Sequence, residues 1–260
     1  MKNLTYILPV HIYNKDVERY LKRLFSSLEN VDSKNKEKLL IIGPAGVLDK
    51  VKEIVEKTTL KNASFIENED TNIFTQINNG VLKCTTKFFS ILELDDEVMP
   101  FWPSVAEPYV EAKKDVSLFL PIVHLKDEKN GNSALSNEVA WARSFSDELG
   151  YIDLGALENY MDYIISGGIC KTEDFISSGM LKPSLSIAST YEFLLRFAYS
   201  GKKIYVVPKC GYIHYVNRDG SFYKTETERI TNDEAMEYIK LAKKEYFFEN
   251  DRGPKESKKD

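Results

Sequence analysis

Four carboxylates fall within five consecutive positions, at Glu93, Asp95, Asp96 and Glu97, in the stretch FSILELDDEVMP. They follow directly on the apolar run Phe89–Leu92. Like charges this close repel, which raises at least one pKa unless a cation compensates. Hard divalent ions such as Mg²⁺ and Mn²⁺ prefer oxygen ligands, and one or two carboxylates with phosphate oxygens and water make a common site. The other reading is a solvated acidic turn that opens the next helix, where acids suit the dipole. If a strand ran on through the cluster, Glu93 and Asp95 would share a face, because strand side chains alternate.

What positions the cluster is the alternation of elements before it. Leu4–Val10 is a short β-rich run ended by Pro9. Val17, Tyr20, Leu21, Leu24, Phe25 and Leu28 then recur at intervals of three and four, which predicts a helix over 15–31. Apolar runs at 38–43, 63–67 and 87–94 are separated by helical spacings through Val47, Val51, Ile54 and Val55, and through Ile73, Ile77 and Val81. Strand and helix thus alternate three times, which predicts an α/β fold with a mostly parallel sheet flanked by helices. Ligands of such sheets bind beyond the carboxyl ends of the strands, and the acidic cluster follows one of them.

Beyond residue 100 the spacing predicts a helix over 103–115, a strand over 116–125 and a polar loop over 126–139. A strand, turn and short helix follow over 165–179. A helix over 186–201 ends at Gly201, a strand covers 202–208, and 210–223 is mixed strand and loop. Thr231 or Asn232 caps a helix to residue 248, and the charged 249–260 segment reads as a flexible tail. With no repeat and no linker, the chain reads as a single domain with halves 1–125 and 126–248.

The net charge of −5 argues against a general nucleic-acid binder. Cys84, Cys170 and Cys210 are not spaced as a zinc ribbon or redox motif and fit reduced thiols. No apolar run is long enough to cross a bilayer, so the expectation is a cytoplasmic protein without stable membrane insertion.

The run NNGVLKCTTKFFSILELDDEVMP, residues 78–100, is similar to a segment of the inverting, family-2-like GT-A glycosyltransferases. Asn78 and Gly80 match that family's Asn-x-Gly helix. Leu92–Glu97 matches its DxD-type motif, with Glu93 in place of the first Asp. Pro9 and Val10 resemble the end of its first strand, which marks the nucleotide pocket. The order of motifs agrees over about the first 125 residues, which makes that half the nucleotide-sugar side and 126–248 the acceptor side.

The resemblance implies a GT-A-like (Rossmann-like) sheet. It implies transfer of a sugar from a nucleotide-sugar donor, UDP-sugar by default, to an acceptor hydroxyl with inversion, in one displacement. Asp95 and His214 would hold Mn²⁺ or Mg²⁺, Glu93 would face the ribose or sugar, and Arg218 would clamp the diphosphate, with Ser221 adding a hydroxyl. Pro9, Val10 and Asn78 would complete the donor site. Aligning Arg196 with the family's helix arginine puts Glu192 on its second acidic position and Thr190 on its usual catalytic Asp. Glu192 is then the candidate base, with Glu173 or Asp174 as the alternative. Ser166–Gly168 resembles the Gly-containing segment below the acceptor, and a simple turn is the other reading.

Gly43 and Ile77 depart from the family at positions that read the nucleotide, and Glu67 or Asp70 would take over that role. His11 and His124 read as structural. Acceptors consistent with the resemblance are a glycan, a lipid-linked sugar, a protein or a hydroxylated nucleobase. Two other readings stand beside it: a nucleotidyltransferase, which PVHIYNKD disfavours for want of a glycine, and a decayed sugar- or nucleotide-binding module.

Overall fold

The computed structural model describes residues 1, 3–32, 37–218 and 222–246. The segment 249–260, expected to be a flexible tail, lies outside the described residues, as does Ser221.

The first half follows the alternation. β1 (Leu4–Pro9), α1 (Lys15–Glu29), β2 (Lys38–Gly43), α2 (Ala45–Val55), β3 (Ala63–Glu67), α3 (Ile73–Lys83) and β4 (Phe88–Ile91) succeed one another. Helix starts are set by side-chain caps. Asn14 Oδ1 accepts from the Val17 N–H at 2.9 Å, and Asn72 Oδ1 accepts from Phe74 and Thr75. The apolar stripe of α1 is buried as its spacing demands.

Next come β5 (Glu97–Val98), α4 (Trp102–Ala112), β6 (Val116–Asp127), β7 (Asn132–Ser136), β8 (Tyr151–Ile152) and α5 (Leu154–Asn159). The chain continues with β9 (Ile169–Lys171), α6 (Thr172–Ser177), α7 (Ser189–Tyr199), β10 (Lys203–Tyr215), α8 (Phe222–Arg229) and α9 (Asn232–Glu245). Three expectations change here. The polar 126–139 segment is half hairpin, because β6 runs on to Asp127 and turns through Gly131 into β7. The mixed 210–223 region holds the end of one long strand, which runs to Tyr215 with register shifts between Val206 and Tyr212, and the start of α8. And α8 was not foreseen.

The ten strands among the described residues join one sheet in the order β3-β2-β1-β4-β9-β6-β10-β5, with β7 on β6 and β8 on β10. β1 to β4 are mutually parallel, and β10 is parallel to β6. β9 runs antiparallel to both β4 and β6, so β6 and β10 share the direction of β4. The carboxyl ends of β1, β4, β6 and β10 therefore lie along one edge, where the candidate site is built.

Each face carries its own core. Leu4, Tyr6 and Leu8 of β1 pack with α1, α2 and Trp102 on one side, while Ile7 and Ile42 pack with α3 and Phe193 of α7 on the other. Gly80 is where α3 comes closest to the sheet. A β-carbon there would lie 2.8 Å from Ile7 Cγ2 and 2.9 Å from Ile42 Cδ1. Both neighbours are β-branched and stiff, so they yield little. Gly80→Val is expected to destabilise the fold by about 1–3 kcal/mol, the usual cost of overpacking. The check is a lower urea midpoint at unchanged slope.

Candidate active site

β4 stops at Ile91, before the acids, so Glu93 to Asp96 lie on a loop and not on a strand. The loop returns as β5, which pairs antiparallel with β10 through Val98–Tyr212 and Glu97–Ile213. That pairing swings the carboxylates against residues 212–215. The Glu93 N–H donates to the Tyr212 hydroxyl at 3.0 Å. Trp102, fully buried, donates its indole N–H to the Gly167 carbonyl at 2.8 Å, and the Gly167 N–H donates to the Ile91 carbonyl at 2.8 Å. Gly167 has φ +75, and a β-carbon there would lie 2.5 Å from the Tyr212 ring, so only glycine fits.

The four acids have four different environments. Asp96 has no solvent exposure. Its Oδ1 accepts from the Tyr215 N–H at 2.9 Å, and its Oδ2 lies 2.8 Å from His214 Nδ1. Glu97 accepts from the Tyr215 hydroxyl and lies 3.4 Å from Arg23 Nε. Glu93 accepts from the Ser166 hydroxyl at 2.7 Å and lies 3.7 Å from His214 Nδ1. Asp95 is buried, and its Oδ2 has no hydrogen-bond partner.

Charge follows from this. Burial, then the neighbouring Asp96 and Glu93, push Asp95 up to about 8. Burial also raises Glu93, with Asp96 adding to it and His214 opposing it. Burial alone would lower His214, but the Asp96 and Glu93 carboxylates raise it to about 10. Glu93, Asp96 and His214 offer ligand atoms that all lie within 4.8 Å of one another. An orphaned buried carboxylate oxygen beside an O,O,N donor set fits a divalent cation.

The cationic side stands next to it. Arg218 is 5% exposed; its Nη2 donates to Glu128 at 2.6 Å, while its Nε and Nη1 are buried with no partner. Arg23 of α1 donates to the Asp95 carbonyl at 2.6 Å. Both guanidinium groups stack on the Tyr215 ring, at 3.8 and 3.9 Å from its centroid.

No protein-family model and no curated protein matches this sequence. Solved structures do. TarS from S. aureus in complex with UDP-GlcNAc superposes with a TM-score of 0.69 at 15% identity, over 92% of this chain and 65% of that one. Its complex with UDP gives 0.63 at 15% identity, over 92% and 64%. The mannosyltransferase PcManGT from Pyrobaculum calidifontis, in complex with GDP-Man and Mn²⁺, gives 0.61 at 12% identity, over 94% and 70%.

The fold is that of the GT-A glycosyltransferases. The chain spans slightly less than two thirds of the TarS chains matched first. No helix among the described residues is long and apolar enough to cross a membrane.

Within the GT-A frame the expected residues separate. Pro9 and Val10 sit buried at the carboxyl end of β1, beside Gly43, where a β-carbon would lie 2.3 Å from the Val10 carbonyl oxygen. Asp95, Glu93, His214 and Arg218 reach the same edge. Glu67, the last residue of β3, and Asp70 beyond it are both exposed.

Asn78 spends both ends of its amide on Leu181, donating to its carbonyl at 2.8 Å and accepting from its N–H at 3.1 Å, which makes it a tie between α3 and the chain before α7. Glu192 is wholly buried. Arg196 binds both its oxygens, at 2.8 and 2.9 Å, and Lys182 binds Oε1 at 2.8 Å. Both oxygens of Glu192 are thus engaged inside a buried ion pair. Glu173 and Asp174 follow β9, whose last residue Lys171 pairs with Phe88 at the amino end of β4. The antiparallel strand carries them to the edge opposite the acidic loop.

Three residues of this edge carry no signal of their own in the sequence: Asp96 is one of four neighbouring acids, Arg23 lies in a helix whose stripe signals core packing alone, and Tyr215 is one aromatic among several.

Two outcomes follow. Breaking a buried ion pair by removing one partner costs about 3–5 kcal/mol, so Glu192→Gln is expected to lose stability on that scale in denaturant titrations. A base would instead lose activity with stability retained. For pH, the folded Asp95 near 8 and His214 near 10 lie above the ordinary values of 3.8 and 6.5. The folded state therefore holds protons that the unfolded state has released, and stability falls as pH rises across that window. The Tm in EDTA is expected to drop between pH 6 and 9, and to drop less in Asp95→Asn.

Proposed function

We propose that the protein is a cation-dependent glycosyltransferase that moves a sugar from a nucleotide-sugar donor to an acceptor hydroxyl with inversion. One observation carries the reading: at the carboxyl edge of a GT-A sheet, a surplus of buried carboxylate stands beside an arginine with two unpaired donors. The GT-A neighbours bound to UDP-GlcNAc and to GDP-Man with Mn²⁺ support it.

Glu93, Asp96 and His214, whose ligand atoms converge, would hold the ion, with the unpartnered Oδ2 of Asp95 beside them. A bound Mn²⁺ or Mg²⁺ supplies Lewis-acid stabilisation of the departing diphosphate. Arg218 adds forked N–H donors to the same oxygens, and its burial strengthens them. Ser166 fixes Glu93 toward the donor, and Tyr212 holds the Glu93 backbone.

The rival reading, a binding module with a decayed site, draws on Thr190 and on the locked Glu192. It predicts donor binding without turnover. A nucleotidyltransferase is disfavoured by the glycine-free turn after β1.

A thermal-shift panel of UDP- and GDP-sugars with Mn²⁺ tests the proposal, since a ligand at 100 times its Kd stabilises by about 2.7 kcal/mol. At least one donor is expected to raise the Tm. His214→Ala and Asp95→Asn are expected to weaken that binding by about 10–100-fold. Binding that survives both substitutions and EDTA unchanged sinks the cation role. Release of free sugar from the donor separates the enzyme from the decayed module.

A further inference from the structure

Arg23 and Arg218 place two cations on one tyrosine ring, an arrangement that repels itself unless an anion lies between them. The chain supplies that anion. Glu128, on the turn between β6 and β7, gives Oε1 to Arg23 Nη1 at 3.0 Å and Oε2 to Arg218 Nη2 at 2.6 Å. Its side chain is 53% exposed, so it is free to leave, whereas Arg218 is 5% exposed and stays.

The register of this contact is built. Asp127, next to Glu128, accepts from the N–H groups of Lys129 and Asn130 at 3.0 and 3.1 Å and from Asn130 Nδ2 at 2.7 Å. It also accepts from Asn217 Nδ2 at 2.7 Å, and Asn217 is the residue before Arg218, in the left-handed region at φ 59. One buried carboxylate thus ties the turn that carries Glu128 to the strand end that carries Arg218.

A single carboxylate does not saturate the pair, because Arg218 Nε and Nη1 are buried without partners. A group with more oxygens and more charge than a carboxylate satisfies them. We propose that Glu128 is a resident anion in the diphosphate subsite, and that donor binding is an exchange of this carboxylate for the diphosphate of a nucleotide. The inference rests on the reading of Arg218 as a diphosphate clamp. The exchange favours multiply charged ligands over singly charged ones. After transfer, Glu128 competes with the departing nucleoside diphosphate for the same donors.

The test is calorimetric titration of inorganic pyrophosphate, UDP and GDP, each with Mn²⁺, into the wild type, Glu128→Gln, Glu128→Ala and Arg218→Ala. Removing the competing anion is expected to tighten pyrophosphate and nucleotide binding by about tenfold or more, the scale of a close charge pair. That gain is expected to vanish when Glu128→Gln is combined with Arg218→Ala, as for residues acting on one ligand. Binding that is equal or weaker in both Glu128 variants overturns the exchange while leaving the glycosyltransferase reading intact. Absence of binding in every protein, with folding confirmed by a cooperative melt, overturns both.

Discussion

A carboxylate with no access to solvent, Asp96, joins the loop after β4 to the end of β10. One oxygen takes the Tyr215 N–H and the other takes His214 Nδ1. A charge buried this fully persists only when paired and hydrogen-bonded. Asp96 thereby fixes three things at once: where the acidic loop turns, how the histidine ring is oriented, and how β5 sits on β10. The supporting contacts all lead back to the same loop. Trp102 holds Gly167, Gly167 holds Ile91, Ser166 holds Glu93, and Tyr212 holds the Glu93 N–H. The edge of the sheet is rigid where the chemistry is read.

Rigidity alone does not make a site, since structural ion-pair networks are rigid too. The difference lies in the unbalanced charge. Two acids are answered within the chain, Asp96 by His214 and Glu97 by Arg23 with the Tyr215 hydroxyl. Asp95 and Glu93 keep a surplus, and burial raises both. Across from them Arg218 keeps a surplus of donors. A closed network would have matched these groups to one another. Here the negative surplus suits a cation and the positive surplus suits an anion of several oxygens, which is the pair of charges a metal-bound diphosphate carries.

Much of this was legible in the sequence, and the reasons are particular. The apolar run ending in acids gave the edge of the sheet, because the three preceding strand–helix alternations left a parallel sheet as the consistent fold. Asn78 and Gly80 stand out as a pair, and in the structure Gly80 admits α3 to the sheet while Asn78 anchors Leu181. Asp96 does not stand apart in the sequence because adjacent acids look alike until β5 turns one of them inward. The β6–β7 turn read as a loop because the exposed residues of β7 carry no apolar alternation. Arg23 was invisible because helical periodicity reports the buried stripe, and Arg23 sits at its margin.

The acceptor side resisted for a topological reason. β9 is the strand that reverses within the parallel part of the sheet, and each reversal exchanges the two edges. Glu173 and Asp174 come seven and eight residues after Ser166, yet they fall at the far edge while Ser166 falls at the site. Sequence distance carries no information across such a reversal. Glu192 is occupied for a different reason. It returns to a helix start, where an acid suits the dipole, but Arg196 one turn later claims it. The segments that return to the carboxyl edge are 166–168, the end of β10, and the chain that opens α7. There Ser186, in the left-handed region at φ 43, donates its hydroxyl to Glu226 of α8 at 3.1 Å. A helix that sequence periodicity did not predict thus closes against the segment leading to Thr190.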